Sequence, residues 1–166
     1  MISDTNILSS FSTGESLHLL FRLFANTTIH IPPAVHQELQ AGLAYGQTHI
    51  EAVLKAIDAG KLQILPLSKN EQTLVQGLPK KLNTGECEAI ALSKNRKCRL
   101  LSNDKQAVRY CHQNNIQVLD LPLLLRLLWT RSIVSQAEIK MLLDRMKSVE
   151  NLQLSQKALA IVFAPR

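Results

Sequence analysis

The chain has 166 residues, 46% of them hydrophobic, enough to bury about two-thirds of the surface its unfolded form exposes; it reads as one domain that folds without disulfide or metal. Aromatics are only 4%, which predicts an aliphatic core and excludes base-by-base reading of nucleic acid by a series of stacked rings. A net charge of +6 favours an anionic partner.

In chain order, an apolar start over residues 2–4 predicts a first strand that ends on Asp4. A helical pattern over 15–25 and a strand over 28–31 follow, and Pro32 and Pro33 stand where a helix over 34–41 begins, a place where a missing N–H costs nothing. Further on come a helix over 49–59, a strand over 62–65, a helix over 85–95, a strand over 99–102, a helix over 105–114 and a strand over 116–119. This alternation predicts a three-layer α/β/α sandwich around a parallel sheet of about five strands.

Beyond Asp120 the pattern is helical only, over 122–130, 136–147 and 155–163, so residues 121–166 read as a helical extension packed on a single domain spanning 1–166. Ser135 and Glu138 form an S-x-x-E capping box ahead of Ile139, Leu142, Leu143 and Met146. Leu121, Leu123, Leu124, Leu125, Leu127, Leu128 and Trp129 make a helix apolar nearly all round, which must be buried. It predicts a homodimer or a groove for a partner's segment.

Cys87, Cys98 and Cys111 are odd in number and spaced 11 and 13 apart, without C-x-x-C. They read as small buried residues of a reducing cytoplasm. His30, His36, His49 and His112 form no short ligand pair, which argues against zinc. The start lacks a basic segment followed by an apolar run, and no stretch of about 18 apolar residues occurs; the expectation is a soluble cytoplasmic protein that neither spans nor anchors in a membrane.

Four places pose a shared question. In RLLSNDKQAVRYC, residues 99–111, an apolar strand gives way to Asp104, as the first strand gives way to Asp4. Ligands of open α/β sheets bind outside the carboxyl ends of the strands, so both aspartates stand where a site belongs. Glu38 lies early in the second helix, and Glu86 and Glu88 open the helix after Asn83-Thr84-Gly85. Each acid has a structural reading too, since Asp is a favoured N-cap and first-turn acids gain up to about 1 kcal/mol from the helix dipole.

Taken together and in order, SDTNIL, PPAVHQEL, GECEAIALS and LLSNDKQA resemble the PIN-domain nucleases, especially the small prokaryotic branch of VapC-type toxin ribonucleases, over residues 1–121. LLRLLWTRSIVSQAEIKMLLDRM is similar to the helical tail of that branch. The resemblance implies that Asp4, Glu38, Glu86 and Asp104 are both the catalytic residues and the metal ligands. It implies that Thr5, Asn6 and Ser102 orient them, with Glu88 pointing elsewhere or assisting from the side. Glu86 is preferred to Glu88 because Gly85-Glu86 holds the family's usual place. One departure is the first strand, which has only Met1 and Ile2 ahead of Ser3.

The implied activity is a Mg²⁺- or Mn²⁺-dependent endoribonuclease with RNA as substrate and an antitoxin protein as partner. Hard divalent ions choose carboxylate oxygens, and such ions supply charge neutralisation and an activated water, leaving 5′-phosphate and 3′-hydroxyl ends. Setting four ionised acids aside from +6 leaves +10, a balance suited to gripping a polyanion. Lys105 and Arg109, one turn apart after Asp104, are the first choices for phosphate contacts; Lys80, Lys81, Lys94 and Arg96 read as solvated. Two alternatives stay open: a non-catalytic binding module, and a DNA-directed nuclease of the same chemistry.

Overall fold

The computed structural model describes residues 1–165 and, at Glu150, only the backbone. Its sheet has five short parallel strands, β1 (Ile2–Ser3), β2 (Ile29–Ile31), β3 (Leu62–Ile64), β4 (Leu100–Leu101) and β5 (Val118–Leu119), in the order β3-β2-β1-β4-β5. The helices are α1 (Thr5–Thr13), α2 (Leu17–Leu23), α3 (Pro33–Ala44), α4 (Glu51–Asp58), α5 (Lys69–Gln76), α6 (Thr84–Asn95), α7 (Lys105–Gln113), α8 (Leu121–Thr130), α9 (Gln136–Glu150) and α10 (Gln156–Val162). The predicted α/β/α sandwich with a parallel sheet is therefore the observed fold.

Strand order reverses at β1, where Ile2 pairs with His30 on one side and Leu100 on the other. That reversal places the crevice for a ligand at the carboxyl ends of β1 and β4. Two residues make a short strand, but the ladder continues past it: His30 N–H donates to the Met1 carbonyl at 2.9 Å, and Asp4 N–H donates to the Leu101 carbonyl at 3.0 Å. Asp4 is thus fastened to β4 by its backbone.

Side chains alternate between the faces of the sheet, and each face has its own aliphatic core. Ile2 and Leu100 pack with Ala89, Ile90 and Leu92 of α6 and Cys111 of α7. Leu101, Ile29, Ile31 and Leu62 pack on the other face with α1 to α4 and with α8 to α10. Cys87 and Cys111 are buried free thiols, as expected of small core residues, whereas Cys98 is only half-buried.

Three expectations are corrected. The helix expected over 15–25 is α2, Leu17–Leu23, and α1, over Thr5–Thr13 ahead of a break at Gly14, was not expected. Helix α1 carries Ser9, Ser10, Ser12 and Thr13, poor helix formers, and is sustained by burial of Ile7, Leu8 and Phe11. Helix α5 was not expected at all; it starts at a capping box between Ser68 and Glu71.

Arg96 is the third correction. It is not simply solvated: its Nε donates to Glu71 Oε1 at 2.7 Å and its Nη2 to Glu71 Oε2 at 3.1 Å and to the Pro66 carbonyl at 3.1 Å. Glu71 is fully buried under a thin cover, and this fork holds its carboxyl down at about 2, against an ordinary value of 4.5. A depressed acid stabilises the fold above its unfolded pKa and loses that contribution as pH falls. Glu71→Gln is expected to cost about 2–3 kcal/mol at pH 7, less than a deeply buried pair would, and the difference should vanish between pH 4.5 and 2. Denaturant melts of both proteins across that range check it; equal stability at pH 7 would refute it.

Helix α8 buries Leu121, Leu124, Leu125 and Leu128 completely, against α2, α9 and α10. The Trp129 indole N–H donates to the Val162 carbonyl at 2.6 Å, tying α8 to α10. Its apolarity is met within the chain and does not by itself call for a second copy. No helix among the described residues is long and apolar enough to cross a membrane.

Candidate active site

The five acids singled out in the sequence all lie at helix N-termini or bond to one, because strands and helices alternate in a parallel sheet and every helix that follows a strand starts at the same edge. Asp4 caps α1, with Oδ1 accepting the Ile7 N–H at 3.0 Å. Asp104 caps α7, its Oδ1 accepting the N–H groups of Gln106 and Ala107, both at 2.8 Å. The question raised by RLLSNDKQAVRYC therefore has a double answer: capping engages one oxygen and fixes where the other points. Asp4 Oδ2 is buried and has no hydrogen-bond partner, and Asp104 Oδ2 makes no hydrogen bond among the described residues.

The glutamates are more heavily engaged. Glu86 closes a capping box with Asn83, accepting from the Asn83 N–H at 3.0 Å and its side-chain amide at 3.1 Å. Glu38 of α3 accepts the Gly85 N–H at the start of α6 at 3.1 Å, and the Thr5 hydroxyl donates to its other oxygen. Glu88 of α6 in turn accepts the Ala34 N–H at 2.9 Å. Helix α3 begins at Pro32 and Pro33, which offer no side-chain cap, so Glu88 satisfies an orphan donor that its own segment leaves open. Helices α3 and α6 thus cap one another, and Glu88 serves the frame rather than the cleft.

Electrostatics show which acids share a site. Burial pushes the Asp4 carboxyl up from 3.8 to about 7; the Ser102 hydroxyl and the Ile7 N–H oppose this, and the charges of Glu86 and Asp104 add to it. Glu86 is raised chiefly by burial, with the Asn83 N–H opposing and Asp104 and Glu38 reinforcing. Asp4, Glu38, Glu86 and Asp104 are therefore one repelling cluster. The Cys111 thiol beneath it is pushed up to about 12 by burial and then by Asp4, so it stays a neutral core residue.

Of the residues expected to orient the acids, Thr5 bonds Glu38 and buried Ser102 accepts the Asp104 N–H at 3.3 Å. Asn6 is different: it is exposed and faces the cleft without bonding any acid. Lys105 and Arg109 are exposed on α7 beside Asp104. Gly85 also fits closely against this cluster: a Cβ there would stand 2.6 and 2.8 Å from the Glu38 oxygens. Its only sequence signal was its place opening the helix.

A hard cation fits this donor set by chemistry. All candidate donors are carboxylate oxygens, two of them uncommitted, and one is buried without a partner. Among the described residues no three His, Cys, Asp or Glu side chains form a group able to hold a metal by themselves. Mg²⁺ does not require one, since it commonly keeps several waters and binds through one or two carboxylates together with substrate phosphate.

No curated protein matches the chain closely enough to count as a relative. A family model described as PIN domain matches residues 1–164, which takes in the acids, the sheet and the tail helices alike. With the acids gathered at the carboxyl edge of a parallel sheet and that match spanning nearly all of its length, the chain belongs to the PIN-domain family, whose fold is that of a nuclease.

Proposed function

We propose that this protein is a Mg²⁺- or Mn²⁺-dependent endoribonuclease, the toxin of a toxin–antitoxin pair. The observation that carries the activity is the pair of aspartates that each cap a helix with Oδ1 and leave Oδ2 uncommitted over an acidic cleft. Family membership supports a nuclease, and the ordered motifs together with the apolar tail support the toxin branch.

Asp4 and Asp104 would hold the cation through Oδ2, with Glu38 and Glu86 adding negative charge from α3 and α6. A bound divalent ion supplies neutralisation of the scissile phosphate and an activated water. The chain's own residues do the rest. The caps at Ile7, Gln106 and Ala107 fix both aspartate planes, and the backbone tie between Asp4 and Leu101 fixes their separation. Lys105 and Arg109 hold the phosphates that flank the cleft.

Asp104→Asn tests this reading, because Asn caps about as well as Asp. The variant is expected to stay folded, to lose most of the Mn²⁺-dependent rise in melting temperature and to lose cleavage. Melting curves and RNA cleavage in EDTA and in Mn²⁺ check it. An active variant with an unchanged metal response would leave Asp104 a cap only and the reading wrong.

A homodimer is proposed as well, resting on exposed Met141 and Val149 of α9 and Ile161 of α10. Light scattering at micromolar concentration should give twice the chain mass; a monomer would refute it.

A further inference from the structure

We infer that the cavity beside Asp104 is a nucleoside subsite which sets the base preference of cleavage next to the scissile phosphate; the inference rests on the endoribonuclease reading. The cavity is lined by Asn6, Ser9 and Ser10 of α1, by Asn103 and Asp104 of the β4–α7 turn, by Lys105 and Gln106 that open α7, and by Leu152 from the link between α9 and α10. It therefore runs directly on from the acids.

Three features point to a nucleoside. The side-chain amides of Asn6, Asn103 and Gln106 make no hydrogen bond with any described residue, although Oδ1 of Asp104 beside them is engaged as a cap. Each amide offers donors and an acceptor, the combination that pairs with the edge of a base. Leu152 adds an apolar wall to an otherwise polar cavity, suited to the face of a base, and it is held in place by the α8–α10 core. Lys105 supplies the cation for the adjoining phosphate. A base must leave its stack to enter, so the occupant is a nucleoside of single-stranded RNA.

This placement changes the role of Asn6 from orienting the acids to reading the substrate. The tail also gains a role, since one of its residues walls the subsite.

The test maps cleavage positions in a randomised single-stranded RNA pool with Mn²⁺ for wild type, Asn103→Ala, Gln106→Ala and Leu152→Ala. Wild type should prefer one base at a position adjacent to the cut. The amide variants should flatten that preference by about 5- to 150-fold, and Leu152→Ala should weaken cleavage of the preferred sites. A preference left intact in both amide variants, or cleavage by wild type without any preference, would overturn the subsite. A binding arm separates the two readings. Non-cleaving Asp4→Asn protein, alone and combined with Gln106→Ala, is titrated with short A, C, G and U tracts of RNA and with their DNA counterparts. One RNA tract should bind tightest and lose its advantage with Gln106→Ala. If that holds while wild type cleaves nothing, the nuclease reading fails and the subsite stands. Equal affinity for all tracts, or a DNA tract bound tightest, would overturn the inference.

Discussion

Asp4→Asn is expected to abolish cleavage and, without metal, to make the protein more stable above pH 7. The sign follows from the raised carboxyl of Asp4, near 7 in the fold against 3.8 when unfolded. An acid shifted upward contributes no penalty below pH 3.8, loses stability as pH rises from there to about 7, and bears the full cost beyond. At pH 8 that cost is about 4 kcal/mol. Asn removes the charge and keeps the cap on Ile7, but places an amide N–H₂ where Oδ2 had no partner, which returns about 1–3 kcal/mol. The net gain should be about 1–3 kcal/mol, several degrees of melting temperature. Melting of both proteins in EDTA from pH 4 to 8 checks it: the curves should cross, the variant being the less stable at pH 4, where only the amide cost acts, and the more stable at pH 8. A separation that does not depend on pH would mean that Asp4 carries no buried charge.

The second large effect is predicted for Gly85→Ala. A methyl group there would strike the Glu38 carboxylate rather than backbone, so the fold should hold to within about 1 kcal/mol, while Glu38 swings off the α6 N-terminus. Displacing a charged group of a catalytic cluster by about 1 Å costs on the order of 10²-fold in rate. Cleavage rates and melting temperatures, measured together, distinguish this from unfolding. Wild-type activity in Gly85→Ala would show that the Glu38–Gly85 contact has no part in positioning the acids.

How far the sequence reached depended on whether the deciding contact was local. Strands read as apolar runs between helical patterns emerged in the right order, and the register of Ile2 with Leu100 then brought Asp4 and Asp104 to one edge. The cap of Asp104 was legible because its donors lie two and three residues on, whereas that of Asp4 belongs to a helix that was not expected. Helix α1 escaped because its serines disguise a buried face. Helix α5 escaped although its Ser68–Glu71 capping box is local, because it carries no apolar stripe: its one fully buried residue is Glu71, whose partner Arg96 lies 25 residues away. Glu88 and Ala34 are 54 residues apart, so nothing near Glu88 announced that it caps another helix. The acidic cluster was legible only as an ordered set, since each member alone is an ordinary cap.

Holding acids by helix caps makes the site stiff and leaves it strained without a cation. One oxygen of each aspartate is pinned, while like charges gather at the edge where strand order reverses. Stability is given up where binding is needed, and a hard ion would recover it.

The claim that these carboxylates serve metal-dependent hydrolysis of RNA is tested most directly by incubating the purified protein with end-labelled single-stranded RNA in EDTA, then in excess Mg²⁺ or Mn²⁺, and identifying the new ends. The account predicts no cleavage in EDTA, restoration by either ion, and products bearing 5′-phosphate and 3′-hydroxyl groups. Turnover in EDTA, or a 2′,3′-cyclic phosphate produced by attack of the RNA on itself, would contradict it.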